Sequence, residues 1–215
     1  MKIDVKKDLY ETEKTLAQIN RETFKGLQLP VVNMIGSPGA GKTTLLEKTL
    51  EHFKAQGKRV GVIEGDVQTS IDSDRLSVFG MPIGLINTNG GCHLSSEDVS
   101  RAAKALPLDT LDLLIIENVG NLVCPAAFDL GEQMKIAVLS TPEGDEKPLK
   151  YPALFKNAGL VVISKCELAD MCRFDVRRAK DNIRAVNPDA RIIELSALDG
   201  TNMDEYLSFM MNLAE

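Results

Sequence analysis

The sequence predicts an α/β fold in which helices cover both faces of a mostly parallel sheet. Seven short apolar runs carry this, at 31–35, 59–63, 83–86, 113–117, 135–140, 160–164 and 191–195, reading as buried strands. Helical patterns near 42–56, 95–105, 174–186 and 202–213 separate several of them, the alternation that parallel strands need for their crossovers. A Gly-rich turn lies between the first run and the first of these helices. Gly57 ends that helix, as a glycine that accepts the left-handed conformation does. Upstream, Leu9, Leu16 and Ile19 among many charges predict an amphipathic helical segment over 1–29, ahead of a single domain over 30–215. The stretch 141–150, with two prolines and five charged residues, reads as a loop.

Bulk properties narrow the function classes. In 215 residues, 44% hydrophobic and 26% charged content are globular values. A net charge of −6 without a Lys/Arg cluster argues against nucleic acid as a partner. Seven Phe, three Tyr and no Trp make a base-stacking platform a poor expectation too. The start, Met1-Lys2-Ile3-Asp4, has no apolar signal region, and no run approaches the ~20 apolar residues that span a bilayer. Four cysteines without disulfide-scaffold density fit a reducing compartment, so a cytoplasmic, membrane-free protein is expected.

The strongest chemical signal is Gly36-Ser37-Pro38-Gly39-Ala40-Gly41-Lys42-Thr43, a complete GxxxxGK[ST] pattern in its strand-to-helix setting. The expected architecture is therefore the P-loop NTPase sheet. Such a loop turns successive N–H groups onto phosphate, and the helix that follows adds favourable potential. Lys42 is expected to bridge β- and γ-phosphates, the Thr43 hydroxyl to reach Mg²⁺, and Thr44 to belong to the nucleotide site. A Gly-rich turn that merely joins strand to helix is the bland alternative, and the full motif in context outweighs it. Mg²⁺ needs further oxygen ligands, and Asp66 and Glu117 stand at strand ends on the same side, which makes Lys42, Asp66 and Glu117 the catalytic candidates. Glu117-Asn118-Val119-Gly120 takes the place of the Asp-x-x-Gly switch segment, its glycine free to pivot when the γ-phosphate leaves. No Gln or Arg finger is apparent, so slow intrinsic turnover is expected.

A second constellation is soft. Cys92-His93 follows Asn89-Gly90-Gly91, and Cys124 precedes Pro125 in the loop after Glu117. Adjacent Cys and His in a Gly-rich loop are poor core residues, and both loops fall at carboxyl ends of strands. Three such ligands suit Zn²⁺ or Ni²⁺ and leave one position for water or for a second subunit. Cys166, Cys172 and His52 show no metal spacing.

Together with Glu64-Gly65-Asp66, Asn87-Thr88-x-Gly90-Gly91-Cys92-His93-Leu94, the run from Glu117 through Cys124-Pro125-Ala126, and Glu143-Gly144-Asp145-x-Lys147-Pro148-Leu149-Lys150-Tyr151-Pro152, the chain resembles the HypB family over 30–213. These are nickel-insertion GTPases of nickel–iron hydrogenase maturation. The resemblance implies a GTP-hydrolysing metallochaperone with Mg²⁺, forming a homodimer that depends on nucleotide or metal. The metal, Ni²⁺ or Zn²⁺, would sit between subunits on Cys92, His93 and Cys124. A HypA-like partner and the hydrogenase large subunit are its implied contacts. Lys147 and Lys150 fall in the family's Lys-Pro-x-Lys segment, with a phosphate contact implied, across the dimer. The N-terminal His-rich tract and Cys-x-x-Cys-Gly-Cys motif found in many members do not occur, so N-terminal nickel storage is not expected.

One departure concerns the base. The family reads guanine with Asn-Lys-x-Asp, where this chain has Ser164-Lys165-Cys166-Glu167, followed later by a matching Ser196-Ala197. Ser164 is expected to give up the amide that tethers the loop, and Glu167 to lengthen the base-reading carboxylate, so guanine preference should weaken. The Cys-Pro-His motif of urease-accessory GTPases is absent, which favours the hydrogenase pathway over a urease-type role. Other readings are an ATP-preferring protein, a non-catalytic metal-binding module and a small-acceptor kinase.

Overall fold

The computed structural model describes residues 5–66 and 75–215, with side chains over 11–65 and 75–215. The helix α1 (Val5–Gly26) precedes the strands β1 (Val31–Gly36), β2 (Val60–Asp66), β3 (Ile83–Asn87), β4 (Leu113–Glu117), β5 (Met134–Ser140), β6 (Ala158–Ser164) and β7 (Arg191–Glu194). They form one sheet in the order β3-β2-β4-β1-β5-β6-β7. Every ladder in it is parallel. β1 is central, between β4 and β5, where the chain reverses its direction of travel across the sheet. In open α/β sheets a ligand binds outside the carboxyl ends of the strands at that point.

Period-two alternation along the strands separates the two faces. Val32 and Met34 of β1, with Ile115 of β4 and Val138 of β5, pack under the helices α2 (Lys42–Ala55) and α9 (Met203–Leu213) through Leu46, Leu50, Phe53, Tyr206 and Met210. On the other face, Ile35, Leu139 and Val161 lie with Ala126 of α4 (Cys124–Ala127), Phe155 of α6 (Pro152–Lys156), Ala169 of α7 (Ala169–Cys172) and Ala179 and Ile183 of α8 (Val176–Val186). The rest of that face, Val31, Ile63, Leu114 and Ile116, is covered by Phe24 of α1 and by Val99 and Ala103 of α3 (Ser96–Ala105). Burial on both faces is why β1 and β4 read as continuous apolar runs: every residue of each is buried. The one polar member of β1, Asn33, belongs to a buried hydrogen-bond chain.

The amphipathic N-terminal segment is docked rather than free. Asn20 Nδ2 donates to the carbonyls of Ser96 and Leu130 at 2.9 and 3.0 Å, satisfying a side chain that is 3% exposed. The stretch 141–150 departs from the expected loop. Ser140 and Glu143 close a capping box over a 3₁₀ turn (Thr141–Glu143), and Pro148 sits near the start of the single-turn helix α5 (Lys147–Lys150). The prolines that suggested a loop are first-turn residues, where the missing N–H has no intrahelical partner to lose. Among the described residues, no helix is long and apolar enough to cross a membrane.

Candidate functional site

The phosphate loop runs from the end of β1 into α2. Gly41, just before the helix, holds φ at +95°, a left-handed conformation that glycine adopts without strain. No side chain caps α2, which leaves its first-turn N–H groups for an anion. Three ties from outside fix the loop. Ser37 Oγ makes a short hydrogen bond to Glu143, Lys165 Nζ donates to the Gly39 carbonyl at 2.7 Å, and Ser164 Oγ donates to the Ala40 carbonyl at 2.6 Å. Lys42 is buried, its ammonium on the carbonyls of Gly36 and Ser37 at 3.2 and 3.4 Å.

These residues open onto a cleft of about 470 Å³ whose lining includes Lys42, Thr43, Glu64, Arg75, Glu117 and Lys165. Thr43 Oγ1 donates to Glu117 Oε1 at 2.9 Å, so the helix and the β4 strand end meet in a pair of hard oxygen donors. That pair fits Mg²⁺, which takes oxygen ligands and few of them from protein. Asp66 ends β2 opposite Asn87, and its side chain lies outside the described residues. Glu64, 2% exposed and in register with Glu117, is a lining carboxylate that was not among the expected site residues. Its place in Glu64-Gly65-Asp66 was the available signal. Gly120 presses against the loop: a Cβ there would come within 2.9 Å of Pro38 Cγ and 3.0 Å of Pro38 N, so a side chain at this point of the switch segment would displace the P-loop.

Beyond Gly41, a second cavity of about 420 Å³ is lined by residues that include Thr44, Ser164, Lys165, Glu167, Ala197 and Leu198. The expectation that Ser164 surrenders the loop tether is corrected here. Its hydroxyl is buried and reaches the P-loop carbonyl directly, because the shorter side chain sits at the very end of β6, where only a short reach is needed. Glu167 is exposed. Ser196, fully buried, accepts from the N–H groups of Leu198 and Asp199 at 3.3 and 3.2 Å and so holds the turn carrying Ala197. Burial pushes the Cys166 thiol up to about 11, with Glu194 adding to the shift, and its Sγ donates to the Ile163 carbonyl.

The soft residues converge. Ligand atoms of Cys92, His93 and Cys124 all lie within 4.8 Å of one another, and Cys92 Sγ is 3.5 Å from His93 Nδ1. His93 stacks on Phe128, with centroids 3.9 Å apart and planes at 18°. Burial lowers the imidazole's pKa against the pull of Glu13 and Asp98, favouring the neutral, metal-binding form. The Cys92 thiol is raised, chiefly by its hydrogen bond with Cys124. Two asparagines of the switch segment hold the other loop: Asn118 Oδ1 accepts from Leu94 N at 3.2 Å, and Asn121 Nδ2 donates to the Cys92 carbonyl at 3.3 Å. Asn118 Nδ2 donates to Asn33 Oδ1, whose own amide donates to Glu132, both at 3.2 Å. Lys147 and Lys150 are placed elsewhere. Within one chain they line a different cavity, of about 250 Å³, with Lys147 Nζ 4.9 Å from the Tyr151 ring centroid and Lys150 paired to Glu146 at 2.9 Å.

Known proteins share this fold. The family described as CobW/HypB/UreG, nucleotide-binding domain, matches residues 30–194. The hydrogenase maturation factor HypB of Escherichia coli K12 is 45% identical over 97% of this chain and 71% of its own. The crystal structure of the hydrogenase maturation factor HypB from Archaeoglobus fulgidus has a TM-score of 0.89 at 36% identity, over 95% of this chain and 100% of that one. That of HypB from Helicobacter pylori in complex with nickel also has a TM-score of 0.89, at 37% identity over 94% and 95%. A sheet of the same topology, a phosphate loop and a soft-ligand cluster at its carboxyl edge thus accompany identity over almost the whole chain: this protein belongs to the HypB branch of the CobW/HypB/UreG family of P-loop NTPases.

Proposed function

We propose that the protein is a GTP-hydrolysing metallochaperone that carries nickel, or zinc, and assists nickel insertion into a nickel–iron hydrogenase. One observation carries this reading. The segment that begins with Glu117, bonded to Thr43 in the phosphate cleft, ends seven residues later at Cys124, and on the way Asn118 and Asn121 grip the loop bearing Cys92 and His93. Nucleotide state and metal cargo therefore act on one short piece of chain. The nickel-bound relative supports nickel as cargo.

In this reading Gly36–Thr44 cradles the phosphates, and Thr43, Asp66 and Glu117 hold Mg²⁺. That ion, when bound, supplies charge neutralisation at the β- and γ-oxygens. Lys42 reaches the same oxygens, and Ser164, Lys165, Glu167, Ser196 and Ala197 shape the base pocket. A second copy completes the metal sphere that three ligands leave open, and brings Lys147 and Lys150 towards its partner's phosphates. A HypA-like protein and the hydrogenase large subunit are the partners this role requires.

Equilibrium dialysis with Ni²⁺, on wild type and on Cys92→Ala/Cys124→Ala, tests the cargo site. Wild type is expected to bind, and the double variant to lose at least about tenfold in affinity. Wild-type affinity should also fall steadily as pH drops below about 9, since ligation requires both thiols to give up protons and the hydrogen bond with Cys124 raises the Cys92 thiol. Undiminished binding by the variant would move the cargo site elsewhere.

A further inference from the structure

We propose that Arg75 is a further cation of the phosphate site, held in reserve by Glu47 and transferred to the reacting phosphoryl oxygens when a nucleoside triphosphate fills the cleft. The inference deepens the hydrolytic reading above and rests on it. Arg75 lines the same cleft as Lys42, Thr43, Glu64 and Glu117, and it comes from outside the P-loop, the switch segment and the base loop. Its guanidinium is engaged by Glu47 in a two-point contact, Nε to Oε1 at 3.0 Å and Nη2 to Oε2 at 2.8 Å. Glu47 stands on α2 four residues after Thr43, hence on the same face of that helix. The carboxylate thus holds the guanidinium on the face of α2 that carries Thr43, the residue assigned above to Mg²⁺.

The two lysines of the cleft bond carbonyls of the loop itself. Lys42 donates to the carbonyls of Gly36 and Ser37, and Lys165 to that of Gly39. Arg75 is held by a side chain instead, and the pair is open to solvent, with side chains 43% and 25% exposed. An exposed ion pair contributes little to stability, so exchanging its carboxylate for phosphate is a small change energetically. The guanidinium fork matches phosphate oxygens as well as it matches a carboxylate.

The chemistry asks only for charge. Water oxygen bonds to the γ-phosphorus, the bond from that phosphorus to the β–γ bridging oxygen breaks, and its electron pair stays on the β-phosphate. One proton of the attacking water stays on the oxygen now bound to phosphorus, and the other passes to a phosphate oxygen or to bulk solvent. Arg75 exchanges no proton and offers N–H donors to the bridging and γ-oxygens as negative charge builds there.

The test compares wild type, Arg75→Ala, Arg75→Lys and Glu47→Gln. Steady-state hydrolysis of Mg²⁺-GTP is measured together with GDP affinity in the presence and absence of aluminium fluoride, which completes a mimic of the transition state. Arg75→Ala is expected to lose about 10²-fold or more in kcat while KM stays within about threefold. Its GDP affinity is expected to hold, and the tightening caused by aluminium fluoride to vanish. Arg75→Lys recovers part of the kcat, since it keeps the charge without the fork. Glu47→Gln keeps at least wild-type kcat, because its carboxylate is only the resting partner. Thermal melts exclude unfolding as the cause. Three results overturn the proposal: full kcat in Arg75→Ala, aluminium fluoride tightening that survives in it, or a Glu47→Gln defect equal to that of Arg75→Ala, which makes the pair structural. Failure of the hydrolytic reading itself looks different, since wild type would then show no turnover.

Discussion

The phosphate loop and the soft-ligand cluster stand at the same carboxyl edge of the sheet, yet they are held in opposite ways. Two stretches of chain, the turn at Glu143 and the end of β6 at Ser164-Lys165, fasten Ser37, Ala40 and Gly39 from outside, and the loop is in position before any anion arrives. Cys92 is exposed, and its loop hangs on amides of Asn118 and Asn121. An anion site gains from preorganisation, because donors already aimed need no rearrangement during reaction. A cargo site has to let go. Tethering it through the switch segment makes its geometry depend on that segment, and Gly120 against Pro38 joins the segment to the rigid loop.

The largest expected effect tests the rigid half. Lys42→Ala should lower triphosphate hydrolysis on the order of 10³-fold, since it removes a contact to developing phosphoryl charge. The fold should survive, because the residue's bonds are to loop carbonyls rather than to the apolar core. A phosphate-release assay beside a thermal melt measures both. Hydrolysis within about tenfold of wild type would break the comparison at its stronger side.

Much of this contrast was readable in the chain. All seven strands overlap the apolar runs that predicted them, most plainly β1 and β4, because a parallel strand buried on both faces writes its length in Val, Ile and Leu. The phosphate loop was readable because its motif is local, eight residues whose neighbours in sequence are neighbours in function. The ties on that loop were not. Glu143 to Ser37 spans 106 residues and Lys165 to Gly39 spans 126, and no periodicity encodes such pairings. The same holds for Phe128 under His93 and for Arg75 in the cleft. Position 164 misled for a related reason. Comparing Ser with Asn as residue types predicts a lost tether, whereas the outcome depends on how near the backbone lies to Ala40.

An intermediate effect is expected in the base pocket, and it sharpens the claim of preorganisation. With the Ser164 tether kept, only the longer and exposed Glu167 distinguishes this pocket from one ending in Asp. A buried site built to hydrogen-bond a substrate group rejects an analogue lacking it by roughly 10⁴-fold or more. Exposure lets water solvate a carboxylate that adenine leaves unpaired, and holding the longer chain costs about 1 kcal/mol of rotamer freedom. GDP is therefore expected to bind on the order of 10²-fold tighter than ADP, and Glu167→Ala to remove most of that preference. Calorimetric titrations of both nucleotides would show it, and equal affinities in wild type would strip guanine specificity from the reading.

The smallest effect probes the adjustable half. Phe128 is fixed from below: Lys135 Nζ donates to its carbonyl at 2.7 Å and to that of Ala126 at 3.2 Å, and the ring lies flat on His93. The stack sets the plane of the imidazole and so the direction in which its nitrogens would meet a metal shared with Cys92 and Cys124. Aromatic pairs contribute about 0.5–1.5 kcal/mol beyond the area they bury, which as lost orientation corresponds to a factor of roughly two to twelve in affinity. Phe128→Leu keeps the apolar contact and removes the plane. Its Ni²⁺ affinity is expected to fall about threefold to tenfold, while hydrolysis in the absence of metal stays at the wild-type rate. Competition against a chromophoric chelator gives the affinity, and the ligand-field spectrum of the Co²⁺ form reports whether the imidazole has turned. A loss of hydrolysis alongside would mean that the two halves share more of their support than the hydrogen bonds of Asn118 and Asn121 account for. An unchanged affinity and spectrum would mean that the cluster is ordered by its metal rather than by Phe128.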